Sequence, residues 1–360
     1  MRRRRALSIV TAVAAALGGV GAVAPSAATA SAVEKAADRP HYVQLGDSFS
    51  SGNGAGNYTD RTCWRSRDNY GARVARSHGA TYTNVACSGG VIDDIFSPRE
   101  LGSATWRTRT YEVPVGTVNA RARWLKQAKA DRLCGTPAQK DYSYEYSVRS
   151  SASLGSLYTA TVRCQLVARP QIDAVTRQTD AVFLTIGGND IGFTSIVTNC
   201  LVLREASSCK DKMTAADEGL ADMKRRTKQA LKAIHDRSGG RADVYLLGYP
   251  HLINTDSYRI GWNYDAGLAL TKLQLRGDAL QRQAVREVDR VVGGSGGFTF
   301  VDVKPAWGGY THGLNPHALA DQRSAWLVPV LGVGNVYYEW VHPTPAGWGA
   351  SALALSTSMT

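Results

Sequence analysis

Four short blocks in this chain of 360 residues carry residue types that can transfer an acyl group. Ser48 sits in GDSFSSG, Gly89 in CSGG, Asn189 in GGNDIGF and His342 in EWVHPTPAGW, with Glu339 three residues before the histidine. A serine hydroxyl is a weak nucleophile until a base takes its proton. Histidine titrates near neutrality and can be that base. The tetrahedral intermediate carries an oxyanion that needs preorganised donors. The backbone N–H groups of Ser48 and Gly89 and the side-chain amide of Asn189 can supply three. Each block alone has a plainer reading: an N-cap for Ser48, an Asx-turn for Asn189, a surface histidine before a proline for His342. Asp47 reads as a residue that holds its loop, and Asp190 as structural.

These residues act together only if the fold brings them together. Five short runs rich in β-branched or aromatic residues read as buried strands: YVQL from Tyr42, TYTNVA from Thr81, AVFLTIG from Ala181, VYLLGY from Val244 and FTFVDV from Phe298. Helical patterns lie between them. One is DNYGARVARSHG. A clearer one runs from Ala216 to Arg237, with Leu220, Met223, Leu231 and Ile234 on one face and Gly239 and Gly240 as a stop. Another runs from Leu270 to Val292, and PAGWGASALALS reads as a last helix against the sheet. Alternating strands and helices give an α/β fold, a flavodoxin-like three-layer α/β/α sandwich around a parallel five-stranded sheet. Ligands bind such sheets beyond the C-terminal strand ends, where the strand order reverses. Ser48, Gly89 and Asn189 each follow a predicted strand, so they converge at that edge. His342 reaches them from the loop before the last helix.

The blocks GDSF, CSGG, GGNDIGF and HPTPAG, in that order, resemble the SGNH hydrolases, also called GDSL lipases and esterases. The chain looks especially like their disulfide-containing secreted members from actinomycetes. The resemblance covers everything after the N-terminal segment except an insertion at about 98–169. It implies Ser48 as nucleophile and oxyanion donor, Gly89 and Asn189 as further donors, and His342 as base. It implies no metal or organic cofactor. The family usually has aspartate three residues before the histidine, and this chain has Glu339. Either Glu339 orients the imidazole or a nearby main-chain carbonyl does.

The ends and the composition set the context. Arg2 to Arg5, the apolar Ala6 to Ala24 and the small residues Ala28 to Ala32 form the layout of a secretory signal over residues 1–32, leaving a single catalytic domain over 33–360. No later segment is long and apolar enough to span a bilayer. Six cysteines in an exported chain suggest three disulfides, and fifteen pairings are open. Loop closure favours Cys63–Cys87, Cys134–Cys164 and Cys200–Cys209. The formal charge is +12 and reads as scattered over a solvated surface, with no nucleic-acid signature. His312 and His317 are the other loop histidines, with no ligand cluster around them. Trp106, Tyr111 and Trp124 in the insertion are candidates for an acyl-pocket wall or for ordinary core.

The reading is therefore a secreted, monomeric serine hydrolase of carboxylic esters, acting on a small-molecule or lipid ester. It has no nucleic-acid partner and no stable membrane anchor. A phospholipase or polysaccharide deacetylase on the same scaffold is the nearest alternative, because function lives in the pocket. A secreted binding protein without activity is the alternative from another class.

Overall fold

A computed structural model describes residues 39–318, 321–330 and 336–359. The signal-segment expectation for residues 1–32 lies outside the described residues. In chain order the elements that matter here are β1 (His41–Gly46), α1 (Ser48–Ser51), α2 (Tyr70–Ser77), β2 (Thr81–Asn84), β3 (Arg99–Glu100), β4 (Thr105–Glu112), α3 (Ala120–Ala130), β5 (Tyr142–Leu154), β6 (Leu157–Ala168), β7 (Ala181–Thr185), α4 (Ala206–Ser238), β8 (Asp243–Leu247), α5 (Ala266–Asp289), β9 (Phe298–Val301) and α6 (Pro345–Ser358).

The central sheet has the order β9-β8-β7-β1-β2, and every pairing in it is parallel. All residues of β7 are buried, as are all of β1 after His41. A parallel sheet is covered on both faces, so its strands read as continuous apolar runs rather than as alternation. The chain leaves β1 to one side for β2 and returns to the other side for β7. The strand order therefore reverses between β1 and β7, the two strands that precede Ser48 and Asn189.

Helix boundaries follow their caps. Asn69 caps α2 by accepting from the Ala72 N–H at 2.7 Å, and Asp265 caps α5 by accepting from the Leu268 N–H at 2.9 Å. Helix α4 begins ten residues before the apolar stripe suggested. The Glu205 carboxylate accepts from the N–H groups of Ser207 and Ser208, at 3.1 and 2.6 Å, and so starts the helix at Ala206. It ends where the pattern ends, at Gly239 with φ 69°. Leu220, Met223, Leu231 and Ile234 are buried, as their spacing requires.

Residues between β2 and β7 depart from the βαβ rhythm. Strands β3 to β6 form a separate antiparallel sheet, with β6 paired to β3, β4 and β5. Helix α3 packs on one face of that sheet. The two enclose a small core of their own, with Trp124, Tyr158, Ala160 and Val162 buried. The three disulfides are Cys63–Cys87, Cys134–Cys164 and Cys200–Cys209. The second lies inside this excursion, and the first ties the loop after β2 to the loop before α2.

Candidate active site

Chain direction changes abruptly at the end of β1. Gly46 has φ 112°, and a Cβ there would stand 2.2 Å from the Thr185 carbonyl oxygen, so only glycine fits. Its N–H donates to Gln171 Oε1 at 2.6 Å, and its carbonyl accepts from Gln171 Nε2 at 3.0 Å. Asp47 then caps α1, accepting from the Phe49 N–H at 2.9 Å. Its carboxylate also accepts from the Thr185 hydroxyl at 2.6 Å and from the Tyr249 hydroxyl. Burial drives its pKa up to about 6 against these hydrogen bonds. Asp47 is thus bound beneath the loop and lines no part of the cleft described below. Ser50 extends the same buried network, with its hydroxyl 2.8 Å from that of Tyr70 and 2.9 Å from that of Thr185.

Ser48 is the first residue of α1. Among the described residues its N–H has no protein acceptor, and neither has the N–H of Gly89. Gly89, with φ 75°, follows Cys87 and Ser88; a Cβ there would lie 2.9 Å from an Arg99 guanidinium nitrogen. Asn189 follows β7, and its amide donates to the Gly90 carbonyl at 2.8 Å, which turns the side chain toward the Gly89 loop. The neighbouring Asp190 accepts from the Ile92 N–H at 3.2 Å and pairs with Arg226 at 2.9 Å. Ser48, Gly89, Asn189 and His342 all line one cleft of about 350 Å³.

His342 is delivered by a strained loop. Val341 is fully buried and has φ 63°, a conformation that a β-branched residue rarely adopts. Two backbone hydrogen bonds hold it there: the Val341 N–H to the Val328 carbonyl at 2.9 Å, and the Val328 N–H to the His342 carbonyl at 2.8 Å. The imidazole packs against Phe49, with centroids 5.3 Å apart. Burial lowers its pKa to about 4, while the carbonyls of Glu339 and Trp340 favour the protonated form. Nδ1 is buried and has no hydrogen-bond partner among the described residues.

Glu339 does not reach that nitrogen. Its carboxylate accepts from the Tyr58 hydroxyl, and its carbonyl accepts from the His342 N–H at 3.1 Å. The side chain holds the loop and makes no hydrogen bond to the imidazole.

Of the two readings for the aromatics of the insertion, ordinary core is the one that holds for Trp124 and Tyr111, and other residues form the cleft wall. Trp64, Phe193, Tyr337, Tyr338 and Trp340 line it. Trp124 is instead fully buried in the core of the excursion, Tyr111 packs on it at 5.4 Å, and Trp106 is exposed beneath Arg149. The signal for the true wall was the aromatic run beside His342. Asn53, from SGNGAG, ties that wall to the Gly89 loop by donating to the Tyr338 carbonyl at 2.7 Å and to the Ser88 hydroxyl at 3.0 Å. Arg99 is the only Lys, Arg, Asp or Glu among the described residues of the lining. His312 stacks on Trp326 and His317 meets Tyr258 edge-on, and neither lines the cleft. Among the described residues no cluster of three metal-ligating side chains occurs.

The family model for GDSL-like lipase/acylhydrolase matches residues 42–355. Lipase 1 of Streptomyces coelicolor is 27% identical over 355 residues, which is 96% of this chain and 95% of that protein. A lipase of Streptomyces rimosus is 26% identical over 89% of this chain and 86% of its own length. Among solved structures, the extracellular lipase from Streptomyces rimosus is similar with a TM-score of 0.55 and 23% identity, over 89% of this chain and all of that one. Phospholipase A1 from Streptomyces albidoflavus is similar with a TM-score of 0.56 and 20% identity, at the same coverage. The chain therefore belongs to the GDSL-like lipase/acylhydrolase family and is a carboxylic ester hydrolase.

Proposed function

We propose that this protein is a secreted lipase or esterase working through an acyl-enzyme on Ser48, with His342 as base. The observation that carries the assignment is the lining of one cleft by Ser48, Gly89, Asn189 and His342. Nε2 of His342 takes the Ser48 proton as Oγ attacks the ester carbonyl. The N–H groups of Ser48 and Gly89 and the Asn189 amide receive the oxyanion. The imidazolium then protonates the leaving alcohol, and a water activated by the same imidazole releases the acid. Once Nδ1 is protonated, the nearby carbonyls of Glu339 and Trp340 are the groups that favour the imidazolium, a role that a carboxylate fills in a Ser-His-Asp triad. A depressed histidine pKa keeps the base neutral and ready at neutral pH. Export is supported by the three disulfides, which persist in oxidising surroundings.

A phospholipid substrate is the second reading, favoured by Arg99 in the cleft wall. Its guanidinium shares one ion pair, with Asp94 at 3.3 Å, and stands beside Gly89, where it can meet an anionic head group.

A series of p-nitrophenyl esters from acetate to palmitate tests the main reading. Turnover in wild type and none above background in Ser48→Ala supports it, and an active Ser48→Ala protein sinks it. Phosphatidylglycerol hydrolysis by wild type and Arg99→Gln tests the second. Loss confined to the phospholipid supports a head-group role, and equal loss on neutral esters contradicts it.

A further inference from the structure

Charge on this protein is not scattered. Residues 98–169 hold twelve Lys and Arg against five Asp and Glu, a formal +7 of the chain's +12. Residues 39–97 and 170–360 together hold twenty-five against twenty-three. Among the described residues the excess therefore belongs to the antiparallel excursion built from β3 to β6 and α3.

That excursion ends in an apolar tip. The hairpin turn between β5 and β6 exposes Leu154 at 82% and Leu157 at 49%. The loop from β4 to α3 exposes Val115 at 79% and Val118 at 85%. Register brings the two loops together: Glu112 pairs with Leu157, and the Val113 N–H donates to the Ser156 carbonyl at 2.6 Å. Four branched aliphatic side chains facing water at the end of an arm need an explanation. Immediately behind them α3 begins, and it carries Arg121, Arg123, Lys126 and Lys129 with no acid. All four are exposed, and none has an ion-pair partner among the described residues. Glu112 is the one acid at the tip.

We propose that this tip is a reversible anchor for an anionic lipid surface. The aliphatic side chains enter the head-group boundary, and the α3 cations meet lipid phosphates. A soluble polyanion would use the cations but gives no reason for the exposed aliphatics. Among the described residues no helix is long and apolar enough to cross a membrane. The arm is rooted at the cleft, because Arg99 in β3 lines it and pairs with Ala168 at the far end of β6. The twelve residues of β6 put the tip about 37 Å away along the strand. The anchor thus holds the enzyme at an interface rather than gating its site.

The test is co-sedimentation with vesicles of ether-linked lipids, which contain no ester to cleave, so the readout is independent of any assignment at Ser48. Wild type binds vesicles containing phosphatidylglycerol at least about tenfold better than phosphatidylcholine alone, and salt weakens the binding. Val115→Ser/Val118→Ser/Leu154→Ser/Leu157→Ser, and separately Arg121→Gln/Arg123→Gln/Lys126→Gln, each lose about tenfold. Their thermal midpoints and their rates on a soluble short-chain ester stay those of wild type. Equal binding to both vesicle types overturns the proposal. So does wild-type binding by the serine variant, or binding to a soluble polyphosphate that only the glutamine variant loses while vesicles are ignored.

Discussion

Glu339 and His342 show why a motif position and a chemical role are separate things. Spacing puts an acid three residues before the base, yet the Glu339 carboxylate is engaged by the Tyr58 hydroxyl, and its backbone meets the histidine. Glu339→Gln keeps a side chain that can accept from Tyr58. Its kcat is therefore expected within about threefold of wild type, whereas removing an orienting carboxylate costs on the order of 10⁴. A loss of that size would restore Glu339 as the third catalytic member. His342 supplies a second prediction. Its folded pKa is depressed to about 4 by burial, and the proposed role as base needs the neutral ring. The acid limb of kcat/KM, which reports the free enzyme, is expected well below the ordinary histidine value of 6.5. An acid limb at or above 6.5 would contradict the burial argument.

The elements position the site through a few side chains far away in sequence. Gln171 pairs with both backbone groups of Gly46, and its Oε1 is the acceptor of the Gly46 N–H. Gln171→Met leaves that buried N–H unsatisfied and is expected to cost about 1–3 kcal/mol of stability. Denaturant unfolding measures it, and an unchanged midpoint would show that the turn does not depend on Gln171. Cys63–Cys87 closes a loop with a sequence separation of 24 and fastens the segment that carries Gly89. Replacing both by serine is expected to cost about 3 kcal/mol by loop closure. Thermal unfolding checks it against the Cys134–Cys164 double variant. The latter lies in the separate core of the excursion and should leave short-ester turnover intact.

At the scale of the whole molecule, two buried groups near Ser48 oppose each other with pH. Asp47 is raised to about 6 from an ordinary 3.8, so the native state binds more protons between those values, and its contribution to stability is lost as pH rises through 6. His342 is lowered, so its contribution is lost as pH falls from 6.5 toward 4. In Asp47→Asn only the second effect remains. Its unfolding free energy relative to wild type is expected to rise between pH 4 and 6, and a constant difference would contradict the assignment. The architecture was legible in the sequence because the three inner strands β8, β7 and β1, buried on both faces, read as mostly apolar runs, while the half-exposed edge strands β2 and β9 were marked by β-branched and aromatic residues. All five runs lie in the central sheet. The blocks carrying Ser48, Gly89, Asn189 and His342 were legible because each follows a strand or precedes a helix. The cleft wall was not, since Trp64 and Tyr338 meet only through loop geometry, with ring centroids 5.9 Å apart. Nor was the start of α4, because glutamate is an uncommon cap. The polar strand β4, exposed along most of its length, lacked the alternation that marks a half-buried strand.

The most direct test of the central claim is mass-spectrometric mapping of the adduct formed by a serine-directed alkyl phosphonate. A single adduct on the peptide carrying Ser48, absent in Ser48→Ala together with ester turnover, is the expected result. An adduct on another serine, or turnover that survives Ser48→Ala, would contradict the assignment of the nucleophile.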